Sequence, residues 1–105
     1  MKLKTSEAEG EVLDRLVAQC EGQVYHGPAW TKYSTDWAQA GPIIEKNRLK
    51  MVYFATEQVW RVNRLRYKGL CEPHDMKDAS LLVAAMRCYV ASKLGEEVEV
   101  PDGLN

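Results

Sequence analysis

Basic and aromatic side chains alternate in one short segment, a combination that can bind phosphate groups or single-stranded nucleic acid. The segment contains Trp60, Arg61, Arg64, Arg66, Tyr67 and Lys68. Guanidinium groups hold phosphates, and aromatic rings stack on bases. The acidic pI of about 6.1 argues against non-specific DNA binding, which requires a broad positive field. The favoured interpretation is a solvated strand face, followed by a small anionic ligand, and then by a nucleic-acid or protein partner.

A second candidate is a carboxylate beside a tryptophan. Asp36 next to Trp37 could be a perturbed acid in a cleft, although an aspartate near a helix start is more often a cap. The two candidates together predict a ligand site at Asp36, Trp37, Trp60, Arg61, Arg64 and Arg66.

Cys71 and His74 have the Cys-x-x-His spacing found in metal sites. A structural zinc ion needs four ligands, usually from two such pairs, and the other candidates are scattered: Cys20, His26 and Cys88. We therefore predict no metal and no cofactor, and we interpret the pair as part of a polar loop. An odd number of cysteines without an export signal predicts free thiols.

No spacing in the chain is typical of an enzyme. A nucleophile–base pair, a glycine-rich phosphate loop and a His-Glu-x-x-His motif are all absent from the sequence. The two histidines stand close to prolines, where a role in a turn is the safer interpretation. Enzymatic activity is therefore unsupported.

The first helix has clear boundary signals. Ser6 and Glu9 have the spacing of a capping box, and the apolar positions that follow recur at helical intervals. Gly22 is a typical left-handed C-terminal residue. The pattern predicts a helix over about residues 7–20.

The segment YSTDWAQAGPIIE predicts a second helix with a disturbed course. Ser34, Thr35 and Asp36 can each cap it, and we favour Thr35 or Ser34. Pro42 would clash with the preceding turn of an unbroken helix. Two solutions follow: a kinked helix, or a turn that ends at Gly41 before Pro42 opens a new helix.

The last helix is apolar on nearly its whole circumference. Asp78 or Asp75 would cap it, and Gly95 would end it near Leu94. Between Leu81 and Ala91 the single polar residue is Arg87. Such a helix is either buried on several sides or meets a partner subunit. We predict a homodimer interface at Leu82, Met86, Tyr89 and Val90.

Two hairpins are predicted between the helices. The weaker one pairs Gln23–Tyr25 with Ala29–Lys32 across a His-Gly-Pro turn. The stronger one pairs Lys50–Ala55 with Val59–Arg66 across a three-residue connection, because both arms are rich in β-branched and aromatic residues. In its second strand Trp60 should share a buried face with Val62. The element order indicates an α+β domain, a small antiparallel sheet of two to four strands packed by about three helices, similar to an α-β-α sandwich.

Charge and hydropathy bound the class of protein. At 105 residues the chain forms one domain, predicted over residues 1–95, with an acidic, flexible tail over residues 96–105. Residues 46–77 carry eight basic and three acidic side chains, whereas both flanking regions are acidic, a pattern we interpret as self-complementary. We expect no signal peptide and no membrane span, and therefore a cytoplasmic protein.

Several stretches resemble a known family. The segments YSTDWAQAGPIIEK and AAMRCYVASKLGEEVEVPD, together with MKLKTSE and LDRLVAQCEG, are similar to the phage NinX-like proteins, and more loosely to the phage α-β-α sandwich domain. Residues 50–75 depart from the family, in which the loop before the last helix is richer in glycine and proline. The resemblance implies a phage accessory protein in the bacterial cytoplasm, and it brings no activity, ligand or catalytic residue.

Two functions from different classes remain. The first is a non-enzymatic phage or prophage accessory protein that binds a host or phage protein, as a homodimer. The second is a sponge for a small anionic nucleotide-type ligand in counter-defence, which relies on the arginines near Trp60.

Overall fold

The computed structural model describes residues 1–64 and 75–100. Within these ranges the helices are α1 (Gly10–Glu21), α2 (Trp37–Asn47) and α3 (Leu81–Leu94). The strands are β1 (Lys2–Lys4), β2 (Leu49–Phe54), β3 (Val59–Arg64), β4 (Met76–Asp78) and β5 (Glu97–Glu99). They form two antiparallel sheets, one of β1 and β5 and one in the order β2-β3-β4. The predicted α+β class is therefore confirmed, with the strands divided between two sheets.

α3 lies at the centre of the core. It contacts α1, α2 and strands β3 and β4, so its apolar circumference is covered by this chain itself. The N-cap is Ser80, whose Oγ accepts from the Val83 N–H at 3.4 Å, so the predicted cap at Asp78 or Asp75 is wrong. Asp78 instead ends β4 and accepts from the Ser80 N–H at 2.8 Å. The predicted end at Gly95 is confirmed by a left-handed φ of 95°.

α1 begins later than predicted. Thr5–Glu7 form a 3-10 turn, Ala8 is extended, and the N-cap is Glu9 without a side-chain cap, so the predicted capping box is wrong. The extended backbone buries Ala8 completely, and this long-range packing outweighs the local cap. The end is as predicted. Gly22 has φ of 68°, and the N–H groups of Gly22 and Gln23 donate back to the last turn as in a Schellman motif.

α2 is one helix that runs through Pro42. Its N-cap is Asp36, whose Oδ1 accepts from the Ala38 N–H at 3.0 Å, so the preference for Thr35 or Ser34 is wrong. Of the two predicted solutions, the break at Gly41 does not occur.

The segment between α1 and α2 contains no strand, so the weaker hairpin prediction is wrong. Its backbone is satisfied in other ways. The Thr31 N–H donates to the Gly27 carbonyl at 2.9 Å, and the Lys32 N–H donates to Oε1 of Gln39 in α2 at 2.8 Å. A turn and a side chain therefore take the hydrogen bonds that a second strand would have needed.

The stronger hairpin is confirmed, with slightly different bounds. β2 pairs with β3 in register from Leu49 opposite Arg64 to Phe54 opposite Val59, across four connecting residues. Gln58 takes the left-handed conformation there, with φ of 56°. Val62 is fully buried while Arg61 on the opposite face is exposed, which confirms the predicted alternation.

The two ends of the chain meet in the smaller sheet. Lys2 lies opposite Glu99, and Lys4 opposite Glu97. Val98 and Val100 are buried in the core. The acidic segment predicted to be a tail from residue 96 is therefore ordered structure as far as residue 100, because its two valines cover the core; residues 101–105 lie outside the described ranges.

Candidate functional site

The predicted dimer interface lies inside the chain. Each of its four residues is at most 6% exposed, and all belong to the hydrophobic core: Leu82, Met86, Tyr89 and Val90. They contribute to the core of the single chain instead of to its surface. The physical reason is that α1, α2 and the larger sheet already cover α3, so a partner is not needed for its burial.

The arginine-rich site is only partly described. Arg61 donates from Nε to Oδ2 of Asp75 at 2.8 Å, and its guanidinium lies 5.4 Å from the centre of the Phe54 ring. Trp60 is half-buried on the other face, where its ring lies 5.1 Å from that of Tyr53. Arg64 ends β3, and Arg66 lies outside the described residues. The charge of Arg61 is therefore already matched within the chain.

Asp36 and Trp37 lie on a different element. Asp36 is the N-cap of α2, and Trp37 is the first helical residue, with 53% of its surface exposed. The local role of the carboxylate as a cap accounts for its position. The structure thus places the two halves of the predicted ligand site on α2 and on β3, each with its own local partners.

Cys71 and His74, the pair with the spacing of a metal site, lie outside the described residues. Across residues 1–64 and 75–100, no cluster of three or more His, Cys, Asp or Glu side chains could hold a metal ion. Within the same residues, no disulfide joins Cys20 to Cys88. Burial raises the pKa of the Cys20 thiol to about 11.

The most unusual surface of the described structure is β2. It is an edge strand of its sheet as described, and every residue from Lys50 to Phe54 is exposed. The apolar run that follows Lys50 is 36–48% exposed: Met51, Val52, Tyr53 and Phe54. We call Lys50–Phe54 the β2 edge.

Both faces of the β2 edge are apolar. Met51 and Tyr53 lie on the face of Val62 and Trp60, their partners in the register, whereas Val52 lies on the face of Arg61. α3 covers the sheet mainly at β3 and β4, and reaches β2 less. Among the residues that the structure describes, the hairpin therefore extends beyond its cover, and β2 is apolar on two sides and has no neighbouring strand along one edge.

Natural sheets usually protect such an edge with charges, prolines or bulges. In β2 the single charged residue is Lys50. A nearby ion pair joins β4 to the turn between β2 and β3, where Lys77 Nζ lies 3.7 Å from Oε2 of Glu57. An unprotected apolar edge marks a place where another strand can be added.

Sequence reasoning identified the strand but missed its exposure. The signal was present, because Met51–Phe54 is an apolar run without alternation, which indicates either a strand buried on both faces or one exposed on both. Only the position of α3 distinguishes these two cases.

A hydrogen bond to a carboxylate connects α3 to the end of α1. The Tyr89 hydroxyl donates to Oε2 of Glu21, the last residue of α1. Burial, and then this bond to a carboxylate, raise the pKa of Tyr89. Burial also raises the pKa of Tyr33, and the negative charges of Glu21 and Asp14 add to that effect.

Comparison with known proteins identifies one family. A family model described as Bacteriophage P22, NinX matches residues 4–93 of this chain. The match therefore runs from the end of β1 almost to the end of α3. A search of curated proteins finds no match. No helix in the part of the chain that the structure describes is long and apolar enough to cross a membrane.

Proposed function

This chain belongs to the family described as Bacteriophage P22, NinX, and we propose that it is a non-enzymatic phage accessory protein that binds a host or phage protein along the β2 edge. The observation that carries the proposal is the exposure of four consecutive apolar residues on an edge strand. Its site of action is the bacterial cytoplasm, a reducing compartment, which agrees with the lack of a disulfide between Cys20 and Cys88 in the described structure.

The mode of binding is strand addition. Residues of an edge strand alternate, so every second residue of β2 directs its backbone N–H and C=O away from β3. A partner strand can accept and donate these hydrogen bonds, each worth about 1 kcal/mol net. Its side chains would cover Val52 and Phe54 on one face and Tyr53 on the other, which provides specificity.

A homodimer is one form of the same proposal. Two β2 strands can pair antiparallel about a twofold axis, the commonest symmetry of small oligomers. This replaces α3 as the basis for self-association, because α3 is covered within one chain. Light scattering over a wide concentration range distinguishes a homodimer from a monomer that binds only a different protein.

A matched pair of substitutions tests the β2 edge. Val52 is 40% exposed and lies on the β2 edge, whereas Leu94 is 38% exposed and is the last residue of α3. V52K places a charge on the edge, and L94K places the same charge on a similarly exposed apolar residue away from it. Both variants should fold, because neither residue belongs to the core.

The experiment is affinity capture from infected and uninfected bacterial lysates, followed by titration of the purified partner. We expect wild type and L94K to retain a partner that V52K binds at least about tenfold more weakly, since a lysine blocks both apolar cover and strand addition. The proposal fails if V52K captures everything that the wild type captures.

The nucleotide-type ligand has less support. Its main cation, Arg61, already pairs with Asp75 and stacks on Phe54, so a phosphate would have to displace that carboxylate. A thermal-shift panel of cyclic and ADP-ribose-like nucleotides tests it, because saturation at a hundred times the dissociation constant adds about 2.7 kcal/mol.

A further inference from the structure

A pocket of about 380 Å³ opens between the end of α1 and the start of α2, on a different part of the surface from the β2 edge. Its lining combines a carboxylate, aromatic rings and amide groups: Glu21, His26, Trp30, Tyr33 and Gln39. We call it the Trp30 pocket. None of its residues has a part in the proposed strand addition.

The backbone of Trp30 is hydrogen-bonded on both sides, whereas 77% of the residue's surface is exposed. Its N–H donates to the Gly27 carbonyl at 3.2 Å, and its own carbonyl accepts from Nε2 of Gln39 at 2.8 Å. The His26 N–H donates to Thr31 Oγ1 at 3.0 Å. The backbone that presents this large apolar ring is thus held by hydrogen bonds from both sides, which reduces the entropy that the segment loses when a ligand binds.

The electrostatics of the Trp30 pocket favour a cation. Glu21 is the last residue of α1, where the helix dipole is negative. The Tyr89 hydroxyl donates to one oxygen of this carboxylate, Oε2, and so orients the group. Tyr33 lies near enough to both Glu21 and Asp14 for their charges to raise the pKa of its hydroxyl, beyond the larger effect of burial.

The other charged groups around the pocket are few in the described residues. Oδ1 of Asp14 accepts from the Ser34 N–H at 2.8 Å, behind Tyr33. Lys93 lies on the α3 side, with Nζ 5.9 Å from the centre of the Tyr89 ring, and its positive charge opposes that of a ligand. His26 lines the pocket and would also oppose a cation once protonated.

We propose that the Trp30 pocket binds an organic cation, an ammonium or guanidinium group, with its charge against Glu21 and its apolar surface over the rings of Trp30 and Tyr33. Aromatic faces attract such cations through their quadrupole, and a carboxylate supplies the counter-charge. The cation is either a free small molecule or the basic side chain of a peptide, and the chemistry of recognition is the same for both.

The direct test is titration calorimetry with choline and with its uncharged isostere, 3,3-dimethylbutan-1-ol. Choline should bind at least about tenfold more tightly, because the two differ only in the charge. W30A and E21Q should each weaken choline binding by about tenfold, whereas W30F should retain most of it. Glu21→Gln keeps an oxygen that can accept from Tyr89, so its effect reports the lost charge.

W37A is the matched control. Trp37 is also exposed, at 53%, but does not line the pocket, so its removal should leave choline binding unchanged. Thermal unfolding of every variant separates loss of binding from loss of fold.

Three further compounds distinguish a free cation from the basic side chain of a peptide. Acetyl-Gly-Arg-Gly-amide is compared with its uncharged citrulline counterpart and with free spermidine. A preference for the arginine peptide over spermidine assigns the pocket to a basic side chain of a partner, and the reverse preference assigns it to a free cation. The inference is overturned if no cation binds at millimolar concentration, if the uncharged probes bind equally well, or if W30A binds choline like the wild type.

Discussion

Nε of Arg87 in α3 donates to the carbonyl oxygen of Ala8 at 2.7 Å, and this buried bond connects the centre of the core to the entry of α1. The same guanidinium donates from Nη1 to Oδ1 of Asp78 at 3.1 Å, and its Nη2 lies 3.9 Å from Oε2 of Glu9. One side chain therefore joins α3, β4 and the segment before α1. Arg87 is a charged residue in an otherwise apolar helix because its guanidinium connects α3 to β4 and to the segment before α1.

Replacing Arg87 by methionine should destabilise the protein by about 3 kcal/mol, since it leaves the buried Ala8 carbonyl without its donor and Asp78 without its partner. Arg15 provides the control, because its pair with Glu11 is exposed at both ends. R15M should cost about 1 kcal/mol or less. Urea unfolding of both variants measures the difference. An R87M protein as stable as R15M would contradict the structural role.

The thiol of Cys20 should react slowly at neutral pH. Burial raises its pKa from 9.0 to about 11, and the charge of Glu21 adds to that rise against the opposing charge of Lys93. Since the thiolate is the nucleophile, the rate of reaction with a disulfide reagent should rise through pH 11 in the folded protein and through about pH 8.5 in urea. A C71S/C88A background isolates the signal, because Cys88 is fully buried in the folded protein but would also react once urea exposes it. Equal pH profiles with and without urea would be inconsistent with burial of the thiol.

The raised pKa of the Cys20 thiol also makes the free energy of unfolding depend on pH. A pKa raised on folding means that the folded protein holds the proton more tightly, so the contribution to stability is complete below pH 9 and is lost as pH rises towards 11. C20A should therefore lose less stability than the wild type between these pH values. Urea unfolding at pH 8, 9.5 and 11 measures this slope.

The parts of the fold that depend on local chemistry could be predicted from the sequence. The end of α1 at Gly22 and the β2–β3 hairpin are examples, since glycine conformation and β-branched runs act within a few residues. The start of α1 could not, because the bond from Arg87 to Ala8 joins residues 79 positions apart. Long-range contacts of this kind leave no local signal.

The pairing of β1 with β5 could not be predicted from local sequence either. β1 and β5 each have only three residues, too short for their alternation to stand out, although Lys2 opposite Glu99 and Lys4 opposite Glu97 match in charge. The candidate site was missed for a related reason. The runs of α3 and β2 are both apolar, and only the packing decides that α3 is buried and the β2 edge is exposed.

Substitutions of Asp14 can measure separately how much its hydrogen bond stabilises the protein and how much the burial of its charge destabilises it. Its Oδ1 accepts from the Ser34 N–H at 2.8 Å, and burial raises its pKa although that bond lowers it. A raised pKa means that ionisation of Asp14 costs stability at neutral pH, a cost that disappears as pH falls below the folded pKa. D14N keeps an acceptor oxygen and removes the charge, so it should be at least as stable as the wild type at pH 7. D14A leaves the Ser34 N–H unpaired and should cost about 2 kcal/mol. Urea unfolding at pH 7 and pH 4 tests both, and the argument fails if D14N and D14A are equally destabilised, since the lost charge and not the lost acceptor would then be responsible.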